Sequence, residues 1–253
     1  MKKFVKITAL VLAVMMALFC FAGCGETEVK VDEGAVIKMG TNAAFPPYEY
    51  KEGDKFVGID VEIAEAIAKE LGMTLEIVDM EFDSIITSVN GGEVDFGMAG
   101  MTVTEERLKE VDFSTSYATG VQVVIVNEDS SIASLDDLVG KKIGTQLGTT
   151  GDMYSKDDYG EENVTSYGKG ADAVIALKGG DVDAVIIDNE PAKAFVAENE
   201  GLKILETEYA VEDYAICVKK GNTELLEKID AALIKLAEDG TLDKIVEKYI
   251  SAK

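Results

Sequence analysis

The stretch M-A-G-M-T-V-T-E-E-R, Met98 to Arg107, decides how this chain is read. A short apolar strand signal, Val94 to Met98, runs into it, and a short polar helix signal, Thr104 to Lys109, leaves it. Gly100 carries no side chain, so a ligand can approach the backbone there. Thr102 offers a hydroxyl and a main-chain N–H, and Thr104 reads as an N-cap followed by acids in the first turn. Arg107 is the sole arginine in a chain whose lysines and arginines total 24. A lone guanidinium among lysines points to a planar, two-pronged contact with a carboxylate or phosphate. The alternative is a surface arginine paired with Glu105 or Glu106.

Upstream, Val36 to Gly40 is a strand signal, and Thr41 to Tyr50 holds two prolines and three aromatics, which excludes a central strand. Phe45 lies near the strand's carboxyl end, where α/β sheets take ligands, and is a candidate stacking residue. Tyr48 and Tyr50 are either ligand-facing or plugs at the core edge. Asp60 reads as the cap of a helix whose Ile59, Ile63, Ile67 and Leu71 recur every four residues, with Ala64 and Ala68 beside them and Gly72 as the stop. Thr74 to Val78 is a strand. Asp83 to Asn90 is a helix with Phe82 at its amino end, Ile85, Ile86 and Val89 inward, and Gly91-Gly92 ending it. Strand and helix in alternation predict a parallel sheet with crossovers.

Downstream, Val111 to Phe113 precedes Val121 to Val126, an apolar run long enough to pass between two bodies. A second alternation follows. It runs through a helix at Leu135 to Val139, a strand at Lys141 to Thr145, and the turn Gln146 to Gly151, which opens another helix with exposed amides and hydroxyls. Ala171 to Lys178 is helical and Val182 to Ile187 is a strand. Asp188 stands at that strand's carboxyl end, either as a helix cap before Pro191 or as a ligand group. Leu202 to Leu205 and Tyr214 to Lys219 are strands. Helices at Thr223 to Glu238 and Leu242 to Ile250 close the chain, the first with a stripe of Leu225, Leu226, Ile229, Leu233, Leu236 and Ala237.

Composition narrows the function. There is no histidine, so the usual neutral-pH acid/base and the commonest metal ligand are missing, which counts against a hydrolase or a zinc site. No cofactor or metal is expected. A formal net charge of −24 argues against binding nucleic acid or anionic lipid through a basic patch. At the amino end, Lys2, Lys3 and Lys6 precede an apolar run, Ile7 to Ala22, too short for a comfortable membrane span. The run ends in Phe21-Ala22-Gly23-Cys24, which resembles the lipobox of bacterial lipoproteins, with Phe where Leu is usual. That likeness implies a signal peptide over 1–23, lipidation of Cys24 and a polar tether over 24–34. Cys20 falls in the removed segment, and Cys217 stands alone as a small core residue.

The pieces G-T-N-A-A-F-P-P-Y-E, V-G-I-D-V-E-I-A-E-A-I-A-K-E-L, A-G-M-T-V-T-E-E-R, V-D-F-S, G-T-Q-L-G-T-T-G-D and D-A-V-I-I-D occur in this order. Together they are similar to the polar amino acid-binding proteins of ABC importers, the extracellular solute-binding family 3. The resemblance implies an α/β type II periplasmic-binding fold of two lobes joined by two hinge strands. Lobe 1 would take residues 35–123 and 214–253, lobe 2 residues 124–213, and Val121 to Val126 with Tyr214 to Lys219 would be the hinges. It further implies that Arg107 clamps a ligand α-carboxylate with the N–H groups of Thr102 and Thr150. The Gly100 carbonyl, the Thr102 hydroxyl and Asp188 would take the α-ammonium, and Phe45 and Phe82 would wall the side chain. Asn42, Met101, Gln146 and Thr149 complete the expected site, and Glu49 or Asp83 is the source of negative charge.

These features lead to a non-enzymatic, lipid-anchored monomer on the outer face of a bacterial cytoplasmic membrane. It would capture a free polar L-amino acid, arginine or lysine before glutamine or another polar one, and pass it to an ABC permease. A zwitterion buried between two lobes needs partners for both charges, because unpaired burial costs several kcal/mol. Two other readings are a secreted dehydratase of similar fold, acting on prephenate-like acids, and the sensor domain of a signalling receptor. The missing histidine and the intact ammonium-binding set argue against the first, and the second needs a separate signalling partner.

Overall fold

A computed structural model describes residues 34–250, so the signal peptide, Cys20, Cys24 and nearly all of the tether lie outside the described residues. The first sheet has the order β4-β1-β5-β13-β6, built from β1 (Val36–Thr41), β4 (Thr74–Asp79), β5 (Phe96–Gly97), β6 (Val111–Phe113) and β13 (Cys217–Lys219). β1 runs parallel to β4 and β5, and β13 runs antiparallel to β5 and β6. One face carries α1 (Ile59–Glu70), α7 (Thr223–Glu238) and α8 (Thr241–Tyr249), packed on Ile37, Met39 and Phe96. The other face carries α2 (Ile85–Gly91), whose Ile85 and Val89 meet Met101, Val111 and Cys217. Gly97 makes that contact possible, since a Cβ there would stand 2.5 Å from Ile85 and 2.7 Å from the Cys217 sulfur.

The second sheet has the order β11-β7-β10-β8-β9, from β7 (Ala118–Asn127), β8 (Ile143–Gln146), β9 (Val164–Tyr167), β10 (Ala184–Asp188) and β11 (Leu202–Ile204). Its two faces follow from the period-two alternation of strand side chains. Val123, Ile125, Val185 and Ile187 point to α5 (Gly170–Gly179) and α6 (Asn189–Glu198). Val124, Val126, Ala184 and Ile186 point to the opposite core with Ile132, Leu138 and Tyr159, the last on α4 (Thr150–Tyr159). Each lobe is therefore a three-layer sandwich, and the fold is the α/β two-lobed one that the sequence predicts.

The chain passes between the lobes twice. β7 and β12 (Ala210–Tyr214) pair antiparallel from Gln122↔Ala210 to Ala118↔Tyr214. Where they enter the first lobe, the Ser114 N–H donates to the Ile216 carbonyl at 2.9 Å and the Tyr117 N–H to the Tyr214 carbonyl at 3.0 Å. The run predicted as one strand, Tyr214 to Lys219, is thus β12 ending at Tyr214 and β13 beginning at Cys217.

Several local expectations change. Asp60 is no cap: the helix starts at Ile59 after Gly58, and Asp60 is fully buried. Ala237 is exposed and Ala232 takes its place in the buried stripe of α7. The helix after Thr104 is only α3 (Arg107–Glu110), although the Thr104 hydroxyl does accept from the Arg107 N–H at 3.2 Å. The hairpin of β2 (Tyr50–Glu52) and β3 (Lys55–Val57), and the strand β9, carry no strong alternation and were not predicted.

Candidate functional site

The carboxyl ends of β1, β5, β8 and β10 face one cleft between the lobes. In it lies a small, largely enclosed cavity lined by Asn42, Phe45, Glu49, Phe82, Ala99, Gly100, Thr102, Arg107, Gln122, Gln146, Thr149, Thr150 and Tyr214. Ten of the residues singled out from sequence share this wall.

Arg107 is 6% exposed, and among the described residues it makes no ion pair. The surface pairing with Glu105 or Glu106 is therefore overturned; both acids point to solvent while the guanidinium points inward. Its Nη1 donates to the Thr102 carbonyl at 2.7 Å and its Nη2 to the Gly148 carbonyl, in the other lobe, at 3.0 Å. The Phe82 ring lies 5.4 Å from the guanidinium carbon. Burial lowers the Arg107 pKa, and Glu212 works in the opposite direction as the strongest raising charge. A guanidinium has five N–H donors, so three remain for an anion.

Gly100 adopts φ +53°, and a Cβ there would sit 3.2 Å from the Phe45 ring and 3.3 Å from the Tyr214 ring. Both the backbone region and the space favour glycine at this position. Met101 does not line the cavity: its side chain is 1% exposed and joins the core under α2. The reason is alternation in an extended segment, which turns Met101 away if its neighbours Gly100 and Thr102 face the cleft.

From the second lobe, Gln146 at the end of β8 donates to the Asn42 Oδ1 at 3.0 Å. The Thr149 hydroxyl caps α4 by accepting from the Asp152 N–H at 3.2 Å. Thr150 lies 3.5 Å, hydroxyl to hydroxyl, from Thr102. Asp152, which the sequence reading passes over, holds this turn in place by accepting from Thr145, Ser166, Lys156 and the Gly148 N–H.

Asp188 is 1% exposed and sits behind the lining, not in it. Its Oδ1 caps α6 through the Glu190 N–H, and its Oδ2 accepts from the Tyr214 hydroxyl at 2.6 Å and the Val121 N–H at 3.0 Å. Burial pushes its carboxyl up to about 6, against the lowering effect of those donors. Asp83 is exposed at the cleft mouth and faces Gly148, so it does not supply charge to the cavity wall. Glu49 does line the cavity, and burial, with Asp60 and Asp188 nearby, raises its carboxyl well above the usual range.

The sequence reading also missed Gln122, Glu212 and Tyr214 as site residues. Glu212 accepts from the Gln122 amide at 3.0 Å and the Thr150 hydroxyl at 2.9 Å, so β7, β12 and α4 are tied together behind the wall. A glutamine inside the apolar run of β7 was the available signal. Tyr48 is a core residue, 2% exposed, stacked on Phe45 and edge-on to Tyr214.

Among the described residues no group of His, Cys, Asp and Glu has a metal-binding arrangement, and no helix is long and apolar enough to cross a membrane. The Arginine-binding extracellular protein ArtP of Bacillus subtilis is 34% identical over 254 residues, covering 96% of this chain and 98% of its own length. Among solved structures, an ancestral arginine-binding protein bound to arginine superposes with a TM-score of 0.81 at 44% identity, covering 86% of this chain and 99% of that one. An ancestral arginine-binding protein bound to glutamine gives 0.82 at 45% identity over the same shares. A cleft built from the strand ends of two α/β lobes agrees with the family model that matches residues 37–252, and the chain belongs to the bacterial extracellular solute-binding proteins, family 3.

Proposed function

We propose that this chain captures a free amino acid with a basic side chain, arginine or lysine, between its lobes and delivers it to an ABC permease. The observation that carries the reading is Arg107: a buried guanidinium with no acid paired to it among the described residues and three N–H donors uncommitted. A ligand carboxylate is the natural anion for that fork, at ~1.5–3 kcal/mol per charge-assisted bond. Two such bonds with a few more on the ammonium reach the roughly −8 kcal/mol of a micromolar ligand. Thr102 and Thr150 stand beside the guanidinium to share the carboxylate, and Gly100 with Asp188 would take the ammonium, Asp188 by exchanging its Tyr214 donor. Glu49, with Phe45 and Phe82 as walls, would receive the basic side chain. ArtP, named as arginine-binding, supports the same preference.

Glutamine is the second reading, favoured by the neutral Asn42–Gln146 amide pair across the cavity and by the relative bound to glutamine. The division into residues 35–123 with 214–253 and residues 124–213 belongs to the proposal, with the paired β7 and β12 as the bending region. So do the signal peptide, the Cys24 lipid, the monomeric state and the place on the outer face of the membrane. Thermal-shift screening of the twenty amino acids, on protein lacking residues 1–24, tests the function. Arginine or lysine should give the largest shift; a largest shift with glutamine moves the reading to the alternative, and no shift with any amino acid overturns it.

A further inference from the structure

Two buried carboxyls with no cation beside them lie on the first-lobe side of the cavity. Glu49 is 1% exposed and Asp60 is 0% exposed, and neither forms an ion pair among the described residues. Their partners are unequally shared. Asp60 Oδ2 accepts from the Gly100 N–H and the Tyr117 hydroxyl, both at 2.8 Å. Asp60 Oδ1 and Glu49 Oε2 are buried and accept from no protein donor. The Asp60 N–H donates to the Tyr48 carbonyl at 2.9 Å, which sets Asp60 against the residue before Glu49, and after burial Asp60 is the charge that raises the Glu49 carboxyl most. Two carboxylates cannot bond without a proton between them, whereas one acid and one carboxylate satisfy both orphan oxygens at once.

We propose that Glu49 and Asp60 hold one proton between them, and that a cationic ligand side chain displaces it to solvent where a neutral side chain does not. Asp60 thereby becomes a specificity-determining residue, although it lies behind the cavity wall. The inference rests on the basic-amino-acid reading for the identity of the displacing group. Charge balances: the side chain brings one positive charge in and one proton leaves, so the buried site gains no net charge. A neutral amide such as that of glutamine can bond to the protonated pair as it stands.

The surroundings are consistent with a retained proton. Tyr48 and Tyr117 are the other titratable groups against the pair, from the loop before β2 and from the segment leading into β7, and burial raises both so that they stay neutral. From the second lobe Asp188 adds negative charge towards Glu49. Arg107 lies on the same cavity wall as Glu49 and, among the described residues, forms no ion pair with either carboxyl. Burial raises Asp60 to about 6, with the Gly100 N–H and the Tyr117 hydroxyl opposing it.

The test uses the full chain. Carboxyl carbon NMR of protein without added amino acid should show Glu49 and Asp60 titrating as a coupled pair, one step lying above pH 5; full ionisation of both by pH 5 overturns the proposal. Calorimetry one pH unit below that step, in buffers of differing ionisation enthalpy, should show close to one proton released with arginine and none with glutamine. Equal release with both ligands overturns it. Below the pair's upper step, arginine affinity should rise about tenfold per pH unit while glutamine affinity stays level. In Asp60→Asn the amide can donate to Glu49 and its oxygen can keep the Gly100 and Tyr117 bonds, so arginine binding should release no proton; persisting release overturns the proposal. If no basic amino acid binds, the proposed function fails and the NMR titration still decides whether the proton is shared.

Discussion

Arg107 Nη2 donates to the Gly148 carbonyl at 3.0 Å, a bond from the first lobe's α3 to the turn that opens α4 in the second. The same turn is anchored from behind by Asp152, which accepts from the Gly148 N–H at 3.3 Å. One guanidinium therefore reads both walls of the cleft: its other nitrogen is fixed by the Thr102 carbonyl at 2.7 Å. With Arg107 as the proposed carboxylate clamp, ligand capture and cleft closure would be coupled through this one side chain.

Replacing Arg107 should show that coupling directly. Arg107→Ala removes the fork and should weaken amino acid binding at least a hundredfold by calorimetry, at ~1.5–3 kcal/mol per lost charged bond. Arg107→Lys keeps the charge but offers a single point donor, and should recover only part of the loss. Unchanged affinity in either variant would remove the carboxylate clamp from the mechanism.

Gly148 is a point of close approach across the cleft mouth. Its φ is +77°, and a Cβ there would lie 2.9 Å from the Asp83 Cβ across the gap. Gly148→Ala should both strain the turn and prop the lobes apart. Gly140, at φ +73° with open space around it, is the control for strain alone. Both alanine variants should lose about 1–2 kcal/mol of stability from the left-handed backbone. Only Gly148→Ala should lose ligand affinity and show a larger radius of gyration by small-angle X-ray scattering with ligand added. Equal affinities in the two variants would mean that the lobes do not close at this point.

The buried acids set an acid-side optimum of stability. Asp60 and Asp188 are both raised from the ordinary 3.8 to about 6, chiefly by burial. A folded-state pKa above the unfolded value gives stability that is complete below the ordinary value and lost as pH climbs through the raised one. Each group then takes away about 1.4 kcal/mol per pH unit across that window. Asp112, held down by Lys220, behaves oppositely and loses its contribution only in stronger acid. Urea unfolding without added amino acid should show stability falling from pH 4 to pH 7, and a steady rise over that range would contradict this account.

Cys217 offers a clean reporter of unfolding. It is 0% exposed in β13 against Gly97, and burial pushes its thiol up to about 12, so almost no thiolate exists at neutral pH. In protein lacking residues 1–24, a thiol reagent should label it only at the rate of global or large local opening, and added ligand should slow the labelling further. Fast, ligand-independent labelling would show that the first sheet opens at this strand.

Local pattern was enough for much of this molecule. The four-residue recurrence of Ile59, Ile63 and Ile67, the apolar runs of β7 and β10 and the lone Arg107 are properties of neighbouring residues. Such periods set which face is buried wherever the chain folds. Asp60 shows the limit: it shares the spacing of Ala64 and Ile67, four and seven residues on, so its inward direction was legible, but its partner was not. The bond from the Asp60 N–H to the Tyr48 carbonyl beside Glu49, the Glu212 bridge to Gln122 and Thr150, and the approach of Gly148 to Asp83 join segments that no short window holds together. Those juxtapositions depend on how two sheets twist and where β7 and β12 cross, and only the packed tertiary structure decides them.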